Sequence, residues 1–135
     1  MSNTRCMITR FVVYGLIGLC AEVLWTGAHS LFKRDFKLRA NTSVWMFFIY
    51  GAAVLFEPLV RVAQAYPVWV RGVIYVVCIF GIEYFAGILM KKIKLCPWDY
   101  SGAKLNIHGV IRLDYAPAWF ALGLVFEFLY LRMVY

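Results

Sequence analysis

Charge is what this sequence has least of. Only 16% of its 135 residues are charged, against 64% hydrophobic residues. A soluble domain of this size has too little interior to hide that much apolar surface, so the composition leaves one integral membrane domain over residues 1–135. Acid is scarcest of all. Five of the seven acidic residues, Glu22, Glu57, Glu83, Asp114 and Glu127, lie inside or at the edges of apolar stretches, and only Asp35 and Asp99 lie in polar loops. A carboxylate at bilayer depth costs about 2.5–3.5 kcal/mol on insertion scales. Such groups face a protein interior or a watery cavity and take partners there.

Catalytic signatures are absent as well. The sequence has no G-x-x-x-x-G-K-[ST], so it does not hydrolyse ATP through a P-loop, and no H-E-x-x-H, G-x-S-x-G or G-x-G-x-x-G. Its cysteines, Cys6, Cys20, Cys78 and Cys96, form no C-x-x-C pair, and neither a disulfide framework nor a metal finger is expected. No internal repeat, low-complexity tract or domain linker stands out. The net charge of +7 would point to nucleic acid in a soluble protein; here the cations sit between apolar runs, where topology and anionic headgroups favour them. Membrane lipid is therefore the expected partner, and nucleic acid is not.

What remains is an all-α polytopic protein with four transmembrane helices. Apolar runs predict them at about 11–32, 44–60, 68–90 and 115–134, each near the ~20 residues a crossing needs except the shorter second. Glu57-Pro58 and Arg61 close the second run, and the pair Glu57/Arg61 has the spacing of a local ion pair. The mixed segment Leu95–Leu113 is too polar to span and is expected to be interfacial or re-entrant. Four crossings put both termini on one side. Nine basic residues lie in the loops after spans one and three and five on the opposite side, which places those loops in the cytoplasm. A bacterial inner membrane or another cellular membrane is the expected location.

Span one carries Gly15, Gly18, Glu22, Thr26, His29 and Lys33 on one face at steps of three and four. Glycines on such a face let helices approach, and its polar groups need partners. That pattern suits a packing seam and equally a site centred on Glu22. Glu83 lies among small residues on span three, and Asp114 stands at the mouth of span four, so helix facing predicts that Glu22, Glu83 and Asp114 converge on one inward-opening cavity. Beside it the segment Cys96-Pro97-Trp98-Asp99-Tyr100-Ser101 and Asn106-Ile107-His108-Gly109 supplies donors, acceptors and a titratable imidazole. Asp99 equally suits a turn cap.

The blocks Thr42-Ser43-Val44-Trp45, Phe48-Ile49-Tyr50-Gly51, Cys96-Pro97-Trp98-Asp99-Tyr100-Ser101 and Leu113-Asp114-Tyr115-Ala116 with Trp119 resemble the transmembrane protein 229 family. That group belongs with bacterial proteins labelled putative ABC-transporter type IV. The resemblance runs from about Tyr14 through span four and implies a small four-helix membrane protein with acidic positions at Glu22, Glu83, Asp99 and Asp114. The chain departs from the family pattern at Asp114, where Glu is usual, at His108, where bacterial members often have Asn, and at Val110, where they often have Arg.

Three functions compete. In a transport or permease-like component, Glu22 and Glu83 line a pathway, a homo-oligomer or other membrane subunits complete it, and any ATPase is another chain. In an intramembrane enzyme acting on a lipid, Glu22, Glu83 and Asp114, with Asp99, hold a divalent cation such as Mg²⁺ or Mn²⁺, while His108 or Tyr100 moves a proton and Asn106 adds a polar contact. In a scaffold or accessory subunit, the carboxylates pair with arginines and no small molecule is handled. Transport needs the fewest further assumptions.

Overall fold

The computed structural model describes residues 2–135, with side chains from Cys6 onward. Its elements are α1 (Ser2–Phe32), α2 (Val44–Gly51), a 3₁₀ turn (Ala52–Phe56), α3 (Glu57–Ala63), α4 (Val68–Lys92), β1 (Asn106–Ile107), β2 (Ile111–Arg112), a second 3₁₀ turn (Leu113–Tyr115) and α5 (Ala116–Val134). Four stretches are long and apolar enough to cross a membrane: Cys6–Phe32, Val44–Ala63, Val68–Lys92 and Leu113–Val134. The molecule is an all-α polytopic integral membrane protein. Leu24, Val44, Trp69 and Phe85 are each more than 70% exposed, as large apolar side chains can be where the solvent is hydrocarbon.

Two boundaries differ from the hydropathy reading. α1 begins at Ser2, nine residues before Phe11, because neither glycine nor proline interrupts residues 2–14 and a helix needs no apolar face to continue. The second span does not close at Glu57-Pro58. The chain tightens into 3₁₀ geometry over Ala52–Phe56 and resumes as α3, which places Pro58 in a first turn, where its missing N–H and fixed φ are tolerated.

Packing divides the chain into two compact units, Met1–Pro58 and Leu59–Tyr135. The first is a helix hairpin. Ser43 caps α2 by accepting from the Trp45 N–H at 3.3 Å. α2 then lies along the glycine stripe of α1, with Phe47 over Gly15 and Tyr50 over Gly18 so close that a Cβ at Gly18 would fall inside the Tyr50 side chain. The basic loop turns back along the end of α1: the Ser30 hydroxyl donates to the Arg39 carbonyl at 2.5 Å, and the Asn41 N–H donates to the Thr26 hydroxyl at 3.1 Å.

The second unit is also a hairpin, α4 against α5, with Phe120 over Gly72 and Tyr75 over Gly123. Its connection is the polar segment, which folds into a two-stranded antiparallel ribbon pairing Asn106 with Arg112 and Ile107 with Ile111. His108 (φ 51°) and Gly109 (φ 68°) are both left-handed, and the Val110 N–H closes the turn on the Ile107 carbonyl at 3.1 Å. That is the sign pattern of a type I′ turn, which favours Asn-Gly. His is among the residues that tolerate this region. Val110 is fully buried and packs on Gly87, while the Trp98 indole N–H donates to the Val110 carbonyl at 2.9 Å. The segment before the last span is thus a folded cap on the final turns of α4.

Candidate functional site

In the first unit the seam predicted on span one meets α2. Glu22 accepts a hydrogen bond from the Tyr50 hydroxyl at 2.7 Å, across the helix pair that Gly18 brings together. One turn on, the Thr26 hydroxyl donates to the Glu22 carbonyl at 2.8 Å and anchors the returning loop through Asn41. His29 is exposed and its Nδ1 contacts the Trp25 carbonyl at 3.1 Å within its own helix, so it plays no part in the seam.

In the second unit Glu83 accepts from the Trp119 indole N–H at 3.1 Å. Trp119 stacks edge-on against Tyr115, and Tyr115 edge-on against Tyr100, with ring centroids 6.0 and 5.6 Å apart. An aromatic path therefore links Tyr100 of the polar segment to Glu83. On the other side of Glu83 in sequence, the Tyr84 hydroxyl and His108 Nδ1 are 3.0 Å apart. The Lys91 ammonium donates to the His108 carbonyl at 3.1 Å and stands 3.9 Å from Asp99. Asp99, Tyr100 and His108 thus lie at the end of α4, and Tyr100 reaches Glu83 through the rings of Tyr115 and Trp119.

The remaining roles in that cluster are local. Asp99 accepts from the Ser101 backbone N–H at 3.0 Å; this bond, then the Ser101 side chain and the Lys91 charge, hold its carboxyl below the usual aspartate value. Asn106 ties the ribbon together, accepting from the Gly109 N–H at 3.0 Å and donating to the Ala103 carbonyl at 2.5 Å. Asp114 accepts from Arg112 through three contacts of 2.9–3.1 Å. The Asp114 bond in turn raises the pKa of the Arg112 guanidinium. Among the described residues no three His, Cys, Asp or Glu side chains gather to hold a metal in either unit.

Two clusters escaped the sequence reading. Glu57 is 5% exposed and receives Arg10 in a fork, Nε at 2.6 Å and Nη2 at 2.8 Å, with the Tyr14 hydroxyl at 2.9 Å. The facing guanidinium of Arg10 makes two aligned bonds to Glu57, a partner that spacing along one helix does not reveal. Arg61 donates to the Tyr130 hydroxyl at 2.5 Å. Glu127, 6% exposed, receives Arg71 Nε at 3.0 Å and the Tyr75 hydroxyl. The signal that could have found both is an arginine and a tyrosine one turn apart near the start of an apolar helix, at Arg10/Tyr14 and Arg71/Tyr75.

No solved structure matches the chain. A family model described as Putative ABC-transporter type IV matches residues 9–135, a range that includes both hairpins, Glu22 and Glu83, and the folded cap. The match carries that description and not the transmembrane protein 229 name. On that coverage, the chain belongs to the Putative ABC-transporter type IV family.

Proposed function

We propose that this protein is a transport or permease-like membrane component in which Glu22 and Glu83 are the working carboxyl groups. The observation that carries the reading is the division of labour among its intramembrane acids. Glu57 and Glu127 are buried under arginine and serve to lock helices, whereas Glu22 and Glu83 accept from the neutral donors Tyr50 and Trp119 on faces that small residues open. A carboxyl held by a neutral donor, as Glu22 is by Tyr50, can exchange a proton or cation without dismantling a buried ion pair. The folded cap, with Asp99, Tyr100, Asn106 and His108, forms the polar end of the route to Glu83. A second copy or other membrane subunits complete the pathway, and ATP hydrolysis, where used, belongs to another chain, since this one has no P-loop.

Reconstitution tests this. Purified protein in proteoliposomes with an entrapped pH-sensitive dye should carry protons down an imposed gradient. Glu22→Gln together with Glu83→Gln should reduce that flux to the level of empty vesicles, while each variant keeps its helical content. Flux that survives the double substitution removes these residues from the mechanism. A second reading, an accessory or scaffold subunit, draws on arginine–carboxylate pairs such as Arg10–Glu57, Arg39–Asp35, Arg71–Glu127 and Arg112–Asp114. It predicts no flux from the intact protein.

A further inference from the structure

The connection between the first two spans is tightly tied. α1 ends in a left-handed cap: the Asp35 N–H donates to the Ser30 carbonyl and the Arg34 N–H to the Leu31 carbonyl, both at 2.9 Å, with Arg34 at φ 60°. Glycine is the usual residue there, because a Cβ crowds the following carbonyl. Leu38 is left-handed as well, at φ 51°. L side chains persist in this region only where their surroundings hold them. Asp35 does so here. Its carboxylate accepts from the Lys37 N–H at 3.1 Å and pairs with Arg39 at 3.5 Å, and its carbonyl accepts from the Leu38 N–H at 3.0 Å. The Ser30 and Thr26 hydroxyls then fix the Arg39 carbonyl and the Asn41 N–H.

These ties carry the chain back down the flank of α1. Leu38 and Ala40 pass Gly27, where an added Cβ would meet the Leu38 carbonyl oxygen at 3.5 Å and the Ala40 Cβ at 4.0 Å. Thr26 lies six residues before Phe32, the last residue of the span, about 9 Å of rise. The headgroup layer is about 5–8 Å deep on each side of the hydrocarbon. The connection therefore lies among headgroups and the outermost acyl carbons. Its composition fits that depth. Phe32 and Phe36 are 84% and 80% exposed, and the exposed Lys33, Arg34 and Lys37 alternate with them. Asp35 is the one acid of the segment and is already paired with Arg39, whereas the side chains of Lys33, Arg34 and Lys37 have no partner among the described residues. Three cations within five residues, between exposed rings, complement a phosphate that comes attached to acyl chains: rings and aliphatic stems lie along the chains while the charged ends reach the phosphate.

We propose that residues 33–39 form a preformed site for the headgroup phosphate of an anionic phospholipid. Lys33, Arg34 and Lys37 are its binding groups, and Ser30 and Asp35 are the positioning residues that hold them in place. The site does not depend on the transport reading. Unstructured positive charge would attract an anionic membrane surface too, but it would need neither the two left-handed residues nor the Ser30 tie. What the ties add is three cations presented together at one depth, with no ordering of the loop left to be done on binding.

Native mass spectrometry of the full chain in mixed micelles tests this with two lipids of identical acyl chains, dioleoyl phosphatidylglycerol and dioleoyl phosphatidylcholine. The anionic lipid should bind on the order of 100-fold more tightly, about fivefold for each of the three cations. Lys33→Gln with Arg34→Gln and Lys37→Gln should bring the two lipids within about fivefold of each other, at unchanged helical content by circular dichroism. Ser30→Ala changes no charge but cuts the tie to the Arg39 carbonyl, and should weaken the anionic lipid alone by about two- to tenfold. Soluble glycerol 3-phosphate at the concentration of the lipid should not displace it. A parent that binds both lipids alike, or a triple variant that keeps the preference, overturns the proposal. Ser30→Ala binding as tightly as the parent would leave charge alone as the attraction and overturn the preformed site. Displacement by glycerol 3-phosphate would make the ligand a soluble phosphate and overturn the assignment to lipid.

Discussion

The Arg10–Glu57–Tyr14 cluster makes a sharp energetic prediction. Glu57 is 5% and Arg10 8% exposed, and Glu57 accepts three bonds of 2.6–2.9 Å. Removing the guanidinium by Arg10→Met takes both of its charge-assisted bonds from a buried carboxylate, at about 3–5 kcal/mol. Removing both charges, Arg10→Met with Glu57→Met, leaves only the Tyr14 hydroxyl to repartner. Swaps of this kind run from neutral to stabilising, so the double variant should unfold within about 1 kcal/mol of the parent or above it. Tyr14→Phe removes one bond to a charged acceptor, about 1.5–3 kcal/mol. Equilibrium unfolding in mixed detergent micelles, followed by circular dichroism, gives the four-member cycle. The coupling energy between Arg10 and Glu57 should reach at least about 3 kcal/mol in favour of the pair. A single variant as stable as the parent, or a double variant that loses the sum of the two single losses, refutes the argument that this pair is the buried lock of the first hairpin. The second hairpin repeats the experiment at Arg71 and Glu127.

Other perturbations separate packing from chemistry. Gly18→Ala places a methyl inside Tyr50 and should cost about 1–3 kcal/mol in the same unfolding assay, as Tyr50 moves off Glu22. Gly109→Ala forces a Cβ onto a residue at φ 68° and toward the Lys91 ammonium, and should destabilise the ribbon by about 1–2 kcal/mol, read as faster amide exchange at Tyr100 and Val110. Asp99 should titrate below the ordinary aspartate value in a carbon-detected NMR titration. Its native pKa is depressed, so the stabilisation it contributes is present above the unfolded-state value and is lost as pH falls through the native one; a midpoint at or above the ordinary value contradicts the Ser101 cap.

Crossing number, the two long spans and the seam on α1 were legible because they depend on periodicity within one helix, and Gly15, Gly18 and Glu22 do meet α2 as their spacing implies. Partner choice was not legible, because it depends on which helices face one another. Glu57 takes the guanidinium of an arginine 47 residues distant, and Asp114 turns to Arg112 two residues back. Hydrocarbon-facing positions accept Leu, Val, Ile or Phe at little cost, so apolar identity says little about which helix faces meet. The groups that hydrocarbon cannot satisfy say more: a buried glutamate needs a cation, and Glu57 and Glu127 each find an arginine with a tyrosine one turn along.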